Sequence, residues 1–271
     1  MRSSASGRGA VGVGGFDLAF EERGEGAPAV FVHGEASTRG VWDATLEALG
    51  SRFRTIAYDR RGYGGSGAPE SYAGTTVEEQ AEDAAALIER LDAAPALLCG
   101  HAFGAVVCLD LVRRRPELAS AAVLVEPPLL ALSPTGADVT AALREAIEQG
   151  AREGGGAGAI DAFLREACGG RVPPALGRAR PEPAAARAFA ADLAATPRWE
   201  LDLAALRAIT VPLSVVVGAR TRSVWREVCE ALVERLESAE LRELCGGHFA
   251  QLDAPSELAG EIGRMAARAA R

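Results

Sequence analysis

The stretch from Ala96 to Arg115 constrains the fold more than any other part of this 271-residue chain. A short apolar run leads into Gly-His-Ala-Phe-Gly at residues 100–104, and a helical pattern follows directly. This order of strand, sharp turn and helix is the setting of a nucleophile elbow, whose usual signature is Gly-x-Ser-x-Gly. The glycines are needed because the two backbones pass too closely for side chains. Ala102 occupies the centre of the turn, and a methyl group cannot attack a carbonyl.

Short apolar runs alternate with helical patterns along most of the chain. The predicted strands are residues 16–23, 29–33, 53–58, 96–100, 121–126, 213–218 and 240–245. The predicted helices of this alternating part are residues 41–49, 76–91, 105–115 and 223–236, with a last one from about residue 256. Such alternation predicts an α/β fold with a mostly parallel, twisted sheet flanked by helices. Residues 12–15 precede the first predicted strand and are expected to be a flexible lead-in.

One region breaks the alternation. Residues 133–209 contain no strand-like run, and their helical patterns are separated by a glycine-rich segment at 154–158 and by prolines near residue 182. We interpret residues 133–209 as a helical cap inserted into a core formed by residues 1–132 and 210–271. An elaborated surface layer is the alternative interpretation.

The charge balance narrows the class of partner. The formal net charge is −8, which argues against nucleic acid or an anionic membrane surface as the main partner and favours a small molecule. All basic side chains are arginine, a bias typical of a GC-rich bacterial genome. The first fifteen residues lack the apolar segment of a signal peptide, and no run reaches transmembrane length, so we expect a cytoplasmic protein.

The five cysteines match no zinc or redox spacing, which is consistent with a reducing compartment. Four of them are predicted to be small buried hydrophobic residues: Cys99, Cys108, Cys229 and Cys245. The sequence holds no phosphate loop, dinucleotide fingerprint or metal-binding cluster, so no cofactor and no metal are expected. The chain is expected to be a monomer or a homodimer.

His248 is the strongest candidate for a general base. It follows the last predicted strand, where a loop imidazole can reach the elbow. Such a base needs a buried acid, and the loop after residues 213–218 offers none. Glu126 ends an apolar run, where an unpaired carboxylate is costly, so we assign the acid to Glu126. The alternative for His248 is a packed or surface histidine without a catalytic role. The alternative for Glu126 is a solvated charge at the end of a strand.

Two backbone N–H groups are candidates for an oxyanion hole, the pair of donors that stabilises a tetrahedral intermediate. One belongs to Phe103, just after the elbow residue, and the other to Glu35, in the loop after His33 and Gly34. The carboxylate of Glu35 is unusual at such a place. We expect it to point to solvent; the other possibility is that it serves as a second acid.

Together these features resemble the α/β-hydrolase fold family. The resemblance rests on His33-Gly34, the run Asp-Arg-Arg-Gly-Tyr-Gly-Gly-Ser-Gly at residues 59–67, the turn at 100–104, Glu126 and Gly247-His248. It implies a hydrolase with a nucleophile–His–Glu triad, and a structural role for the run at 59–67. The acid then lies at an alternative position of the family, and Ala102 stands where the family has its nucleophile.

The resemblance implies an ester or lactone hydrolase, and the aromatic residues suggest a largely apolar pocket. Phe103 and Phe249 are expected near it, with His33 and Gly34 as further substrate contacts. The aromatic residues of the predicted cap are expected to be core: Phe163, Phe189 and Trp199. A small hydrophobic ester, lactone or thioester fits such a pocket.

Ala102 has three interpretations. It replaces a native serine and gives an inactive form, which we favour; or it is natural and His248 with Glu126 performs non-covalent lyase or cyclase chemistry; or the protein is a non-catalytic binder. An aspartate parent, as in relatives that open epoxides, fits less well because all three tyrosines precede the predicted cap.

Overall fold

The computed structural model of the protein describes residues 6–181, 185–200 and 202–271. The strands are β1 (Ser6–Val13), β2 (Phe16–Arg23), β3 (Ala27–Val32), β4 (Phe53–Tyr58), β5 (Ala96–His101), β6 (Ala119–Val125), β7 (Leu213–Gly218) and β8 (Ala239–Leu244). The helices are α1 (Asp43–Leu49), α2 (Val77–Arg90), α3 (Phe103–Arg114), α4 (Gly136–Ala167), α5 (Ala186–Ala195), α6 (Leu203–Arg207), α7 (Ser223–Val233), α8 (Ala250–Asp253) and α9 (Pro255–Ala269).

The eight strands form one sheet in the order β1-β2-β4-β3-β5-β6-β7-β8. The five contacts from β4 to β8 are parallel, whereas β1 and β2 pair antiparallel with their neighbours. Every residue of β5 and of β7 is buried, as expected for parallel strands covered on both faces. The predicted mostly parallel sheet with flanking helices is confirmed. Because β5, β6 and β7 are parallel neighbours, their carboxyl ends lie together at one edge of the sheet.

The N-terminal segment differs from the prediction. Residues 6–13 form β1, which pairs along its whole length with β2, so the expected flexible lead-in is wrong. Gly14 and Gly15 form the hairpin turn with φ of 50° and 93°, a backbone region that glycine enters without strain. Val11 and Val13 bury their side chains against the core, but the glycines at residues 7, 9 and 12 conceal the alternating pattern in the sequence.

A long helical segment connects β6 to β7. Between these two strands, the described residues contain no further strand and include α4, α5 and α6. The two patterns predicted on either side of residues 154–158 form two helical parts of α4, which are separated by a break where Gly154 and Gly155 leave helical geometry. Residue 184, predicted to begin a helix, lies outside the described residues. The division into core and cap stays a prediction.

The cysteine predictions hold in part. Cys99, Cys108 and Cys229 are buried as predicted, but Cys245 is exposed, so that prediction is wrong. Cys245 follows β8, which is an edge strand of the sheet and leaves one side of its backbone uncovered. Across the described parts of the chain, no helix combines the length and the apolar character needed to cross a bilayer.

Strand β8 carries charges along an edge of the sheet. Its sequence is Ala-Glu-Leu-Arg-Glu-Leu, and residues Arg242 and Glu243 are exposed. Glu240 pairs with Arg264 at 3.0 Å and with Arg268, both from α9. The edge formed by β8 is therefore polar, and its ion pairs connect it to α9.

Candidate active site

The turn after β5 has the backbone of an elbow. Ala102 has φ of 48° and ψ of −121°, a conformation that side-chain-bearing residues rarely adopt. Its N–H donates to the carbonyl of Val125 at 2.9 Å, and α3 begins at the next residue. A Cβ on Gly104 would lie 2.2 Å from the carbonyl oxygen of Val32, and one on Gly100 would lie 2.3 Å from that of Gly104. The sharp turn therefore depends on both glycines.

Glu126 and His248 form a buried pair across the ends of β6 and β8. The Nδ1–H of His248 donates to Oε2 of Glu126 at 2.6 Å. The Glu126 carboxylate also accepts from the N–H of Gly218 at 2.8 Å and from the hydroxyl of Thr221 at 2.9 Å. Because the carboxylate is fully buried, these donors are what make its charge tolerable there.

The pairing fixes the state of the His248 ring. With the proton on Nδ1, the other nitrogen, Nε2, is the acceptor, and no hydrogen-bond partner for it is found among the described residues. Trp225 stacks on the ring at 5.1 Å between centroids, and the ring of His101 lies 4.9 Å away. Trp225 is held in turn by a hydrogen bond from its Nε1 to the carbonyl of Ala167 in α4. The imidazole is thus oriented from three sides and keeps one basic nitrogen available.

The carboxyl group of Glu35 is turned inward, so the expectation that it points to solvent is wrong. Its Oε2 accepts a hydrogen bond from the backbone N–H of Phe103 at 3.0 Å, and only 6% of the residue is exposed. Burial raises the pKa of this carboxyl, and the nearby charge of Asp192 raises it further. The backbone N–H groups of Glu35 and Phe103 and the charge of Arg60 act in the opposite direction.

One of the two backbone donors predicted for an oxyanion hole, the N–H of Phe103, is therefore taken by the Glu35 carboxyl, and the N–H of Glu35 favours the charged form of the same group; the oxyanion hole itself stays a prediction. The sequence could place the donors but not the carboxyl, since the direction of a loop side chain depends on its packing.

A buried ion pair between Arg60 and Asp192 lies near Glu35, and the sequence did not predict it. The guanidinium of Arg60 makes two hydrogen bonds to the carboxylate of Asp192 in α5, at 2.7 and 3.1 Å. Asp192 also accepts from Tyr63 Oη at 2.7 Å and from Gln80 Nε2 at 2.9 Å. The run 59–67 identified Arg60 as structural, but Asp192 had only one signal: it is a lone charge within an otherwise apolar stretch of α5.

Arg60 also holds the loop that carries Glu35. Its Nε donates to the carbonyl of His33 at 2.8 Å, and its Nη2 donates to that of Gly34 at 3.1 Å. The guanidinium lies over the ring of Phe103, 4.8 Å from its centroid. The helical segment between β6 and β7 is thus connected, through Asp192 and Arg60, to the loop that carries Glu35 and to the ring of Phe103.

His33 uses both ring nitrogens on the backbone. Its Nδ1 contacts the carbonyl of Gly34 at 2.8 Å, and its Nε2 accepts from the N–H of Arg60 at 2.9 Å. Burial and the charge of Arg60 hold the pKa of His33 well below its usual value, so the ring is neutral. Gly34 lies against the elbow: a Cβ added there would come within 3.0 Å of the methyl of Ala102. Substrate contacts for His33 and Gly34 stay predictions.

The aromatic residues pack as follows. Phe249 is 2% exposed and lies 4.6 Å from the ring of His101. Phe163 and Phe189 pack edge to face at 5.2 Å, and Trp199 donates from Nε1 to Asp110 at 3.0 Å. The expected core packing of Phe163, Phe189 and Trp199 agrees with their burial. Within the described ranges, no three or more His, Cys, Asp or Glu side chains are grouped as metal ligands.

Residues 29–261 match the sequence model of the alpha/beta hydrolase family. The chain belongs to the alpha/beta hydrolase family. A non-heme bromoperoxidase BpoC, described as putative, from Mycobacterium tuberculosis is 38% identical over 111 residues, 40% of this chain and 41% of that protein. The 2-(acetamidomethylene)succinate hydrolase of Mesorhizobium japonicum is 34% identical over 116 residues, 43% of this chain and 41% of that protein. The matches thus span about two fifths of the length of these curated relatives.

Solved structures resemble the chain over nearly its whole length. An alpha/beta hydrolase from Sphaerobacter thermophilus superimposes with a TM-score of 0.74 at 26% identity, covering 95% of this chain and 99% of its own. A thermophilic esterase from Thermogutta terrifontis gives 0.77 at 22% identity, covering 98% and 99%. The second likeness, at this low identity, supports the fold alone. The family and the fold are those that the sequence motifs indicated.

Proposed function

We propose that this alpha/beta hydrolase carries the acid–base machinery for small hydrophobic esters, lactones or thioesters, in a form whose residue 102 lacks the attacking oxygen. The observation that carries the proposal is the 2.6 Å hydrogen bond between His248 Nδ1 and Glu126, which leaves Nε2 free as a base. The backbone of Ala102 supports it as well, because a strained turn at that position presents its side chain at the edge of the sheet.

In the chain as it stands, no acyl-enzyme can form on a methyl group. His248 can instead take a proton from a water molecule as the water oxygen adds to the substrate carbonyl. The same proton is then returned to the leaving alkoxide or thiolate, so the imidazole ends unchanged. Glu126 stabilises the imidazolium while it exists.

A second candidate is proton-transfer chemistry without hydrolysis, of the lyase or cyclase type. The observation that favours it is the Glu35 carboxyl, which lies where a substrate oxygen would be stabilised in an ester hydrolase. The imidazole of His248 and the carboxyl of Glu35 are suited to remove a proton from a substrate and to donate one to it. A non-catalytic binder would retain its ligand unchanged.

Replacing Ala102 with serine tests the proposal. We expect the Ala102→Ser protein to be labelled at residue 102 by a fluorophosphonate, and to turn over members of an ester, lactone and thioester panel. Ala102→Ser combined with His248→Ala is the control and should not be labelled. If the serine protein is inert while the alanine form converts a substrate, the covalent interpretation of position 102 fails, and a product formed without the addition of water favours the second candidate.

A further inference from the structure

We propose that Glu35 is a catalytic acid: its neutral carboxyl group occupies the oxyanion hole and presents an O–H to the oxygen atom of the substrate. The two backbone N–H groups then stabilise the carboxylate that remains, instead of stabilising an oxyanion of the substrate. The inference rests on the proposed function for the position of His248, and it adds a proton donor that the family resemblance does not imply.

The geometry comes first. Glu35 Oε2 lies 3.0 Å from the Phe103 nitrogen, at the first residue of the twelve-residue helix α3. The backbone N–H of Glu35 also favours the charged carboxylate, so both donors of the hole act on this one group. Ala36, the next residue, has φ of 53°, which fixes the direction in which the loop leaves Glu35. A substrate oxygen cannot take the same two N–H groups while the carboxyl is there.

The surroundings favour the neutral form of the acid. Glu35 is almost completely buried, and the nearby carboxylate of Asp192 repels a second negative charge. Arg60 is the cation facing it, but its guanidinium is already bonded twice to Asp192. Tyr63 directs its hydroxyl at Asp192, and the neutral ring of His33 adds no charge. Burial and then the charge of Asp192 raise the pKa of Glu35, against the opposing effects of the backbone N–H groups of Glu35 and Phe103 and of Arg60.

The proton balance is simple. In hydrolysis, the water oxygen bonds to the carbonyl carbon while His248 Nε2 takes a water proton and the carbonyl oxygen takes the proton of Glu35. When the bond to the leaving group breaks, His248 gives its proton to the leaving atom and the new hydroxyl returns its proton to Glu35. In an elimination, a C–H proton goes to His248, the C–O bond breaks, the leaving oxygen takes the proton of Glu35, and exchange with water resets both groups. The electron pair left meanwhile on Glu35 is stabilised by the N–H groups of Glu35 and Phe103 and by the N-terminus of α3, and no oxidant or other reactant is required.

This arrangement defines the class of substrate. It suits a neutral molecule with a basic oxygen, such as a ketone or an ester carbonyl, an epoxide or a β-hydroxyl leaving group. The residues that decide the preference are Glu35 on one side and His248 on the other.

The rate of labelling with a fluorophosphonate tests whether the Glu35 carboxyl occupies the oxyanion hole. In the Ala102→Ser background, we expect slow labelling with Glu35 present, because the phosphoryl oxygen must displace the carboxyl. Glu35→Ala frees both N–H groups and should speed labelling at least about tenfold, since one such donor is typically worth about 10²–10³ in rate. Glu35→Gln is the matched control: its amide oxygen accepts the same hydrogen bonds and should keep labelling slow.

A second measurement uses the chain with Ala102 unchanged. We expect the amide resonance of Phe103 to shift with pH in a single step, with a midpoint above the ordinary glutamate value of about 4.3. Glu35→Gln should abolish the step. A flat Phe103 resonance, a midpoint at or below the ordinary value, or a step that survives in Glu35→Gln overturns the proposal.

The outcomes separate the two proposals. Equal and rapid labelling with Glu35 and with Ala at position 35 overturns the role of Glu35 and leaves the proposed function intact. If none of the serine proteins is labelled, His248 does not activate residue 102 and the proposed function fails; the Phe103 titration then decides the role of Glu35 by itself.

Discussion

Two buried carboxyl groups lie close to the elbow, and they are built differently. Glu126 accepts from an imidazole, a backbone N–H and a hydroxyl, and no part of it is exposed. Among the residues that the structure describes, the donor that contacts the Glu35 carboxyl is the backbone N–H of Phe103, and the cation facing Glu35 is bonded to Asp192 instead. One carboxyl accepts hydrogen bonds from three groups that stabilise its charge, whereas burial and the charge of Asp192 raise the pKa of the other.

Under the roles proposed above, one fold holds a glutamate that stabilises a charged imidazole and a second glutamate that donates a proton. What separates the two groups is the number and kind of donors around them, not the chemistry of the side chain, because both are glutamates.

The largest expected effect comes from removing the charge of Glu126. In the Ala102→Ser background, Glu126→Gln should slow fluorophosphonate labelling by about 10³–10⁴, because the imidazole loses the carboxylate that fixes its tautomer and stabilises its charge. The same amide change at Glu35 should leave labelling within a few-fold. Similar losses at the two positions would remove the distinction between the two carboxyls.

The next largest effect is on the free energy of unfolding and comes from breaking the buried Arg60–Asp192 ion pair. Asp192→Asn leaves the guanidinium of Arg60, which is 1% exposed, without a counter-charge, and should lower the free energy of unfolding by about 3–5 kcal/mol. The control is Asp161→Asn, whose partner Arg180 is 41% exposed and whose loss should cost about 0–1 kcal/mol. Urea denaturation measures both, and equal losses would contradict the structural role of the buried pair.

The Asp192→Asn protein also tests the charge environment of Glu35. The substitution removes the negative charge that raises the pKa of Glu35 and leaves Arg60 unneutralised. The titration of the Phe103 amide should therefore move to lower pH. A loss of stability without this shift would leave Asp192 a purely structural residue.

The smallest expected effect is on the way in which the free energy of unfolding depends on pH. Because the pKa of Glu35 is raised in the folded state, its contribution to stability is complete below the unfolded value of about 4.3 and is lost as pH rises through the folded value. Glu35→Gln should therefore gain stability over the parent as pH rises, by about 1.4 kcal/mol for each pKa unit between the two states. Parallel curves of unfolding free energy against pH for the two proteins would contradict this.

Much of the fold follows from local sequence. Apolar strand runs, glycines at the sharp turn and the capping box at Thr76, which the structure contains, are all signals within a few residues. The sheet and the elbow were predicted for this reason. The N-terminal strand was missed because alternate glycines leave too few apolar side chains to mark it.

The site was predictable where it depends on chain order and not where it depends on side-chain direction. The sequence indicated Glu126 as the partner of His248, since an acid at the end of an apolar strand needs a partner, and the two are in contact. It could not indicate which way Glu35 turns, or that Asp192 from the inserted segment reaches Arg60. Those contacts join residues more than sixty and one hundred positions apart, respectively.

The charged strand β8 has a consequence for how molecules meet. An open sheet edge can be continued by a strand from a neighbouring molecule, which is a common route to aggregation. A second chain docking along β8 would have to cover Arg242 and Glu243 and disturb the pairing of Glu240 with α9. The cost of stripping water from these side chains protects this end of the sheet from unwanted extension.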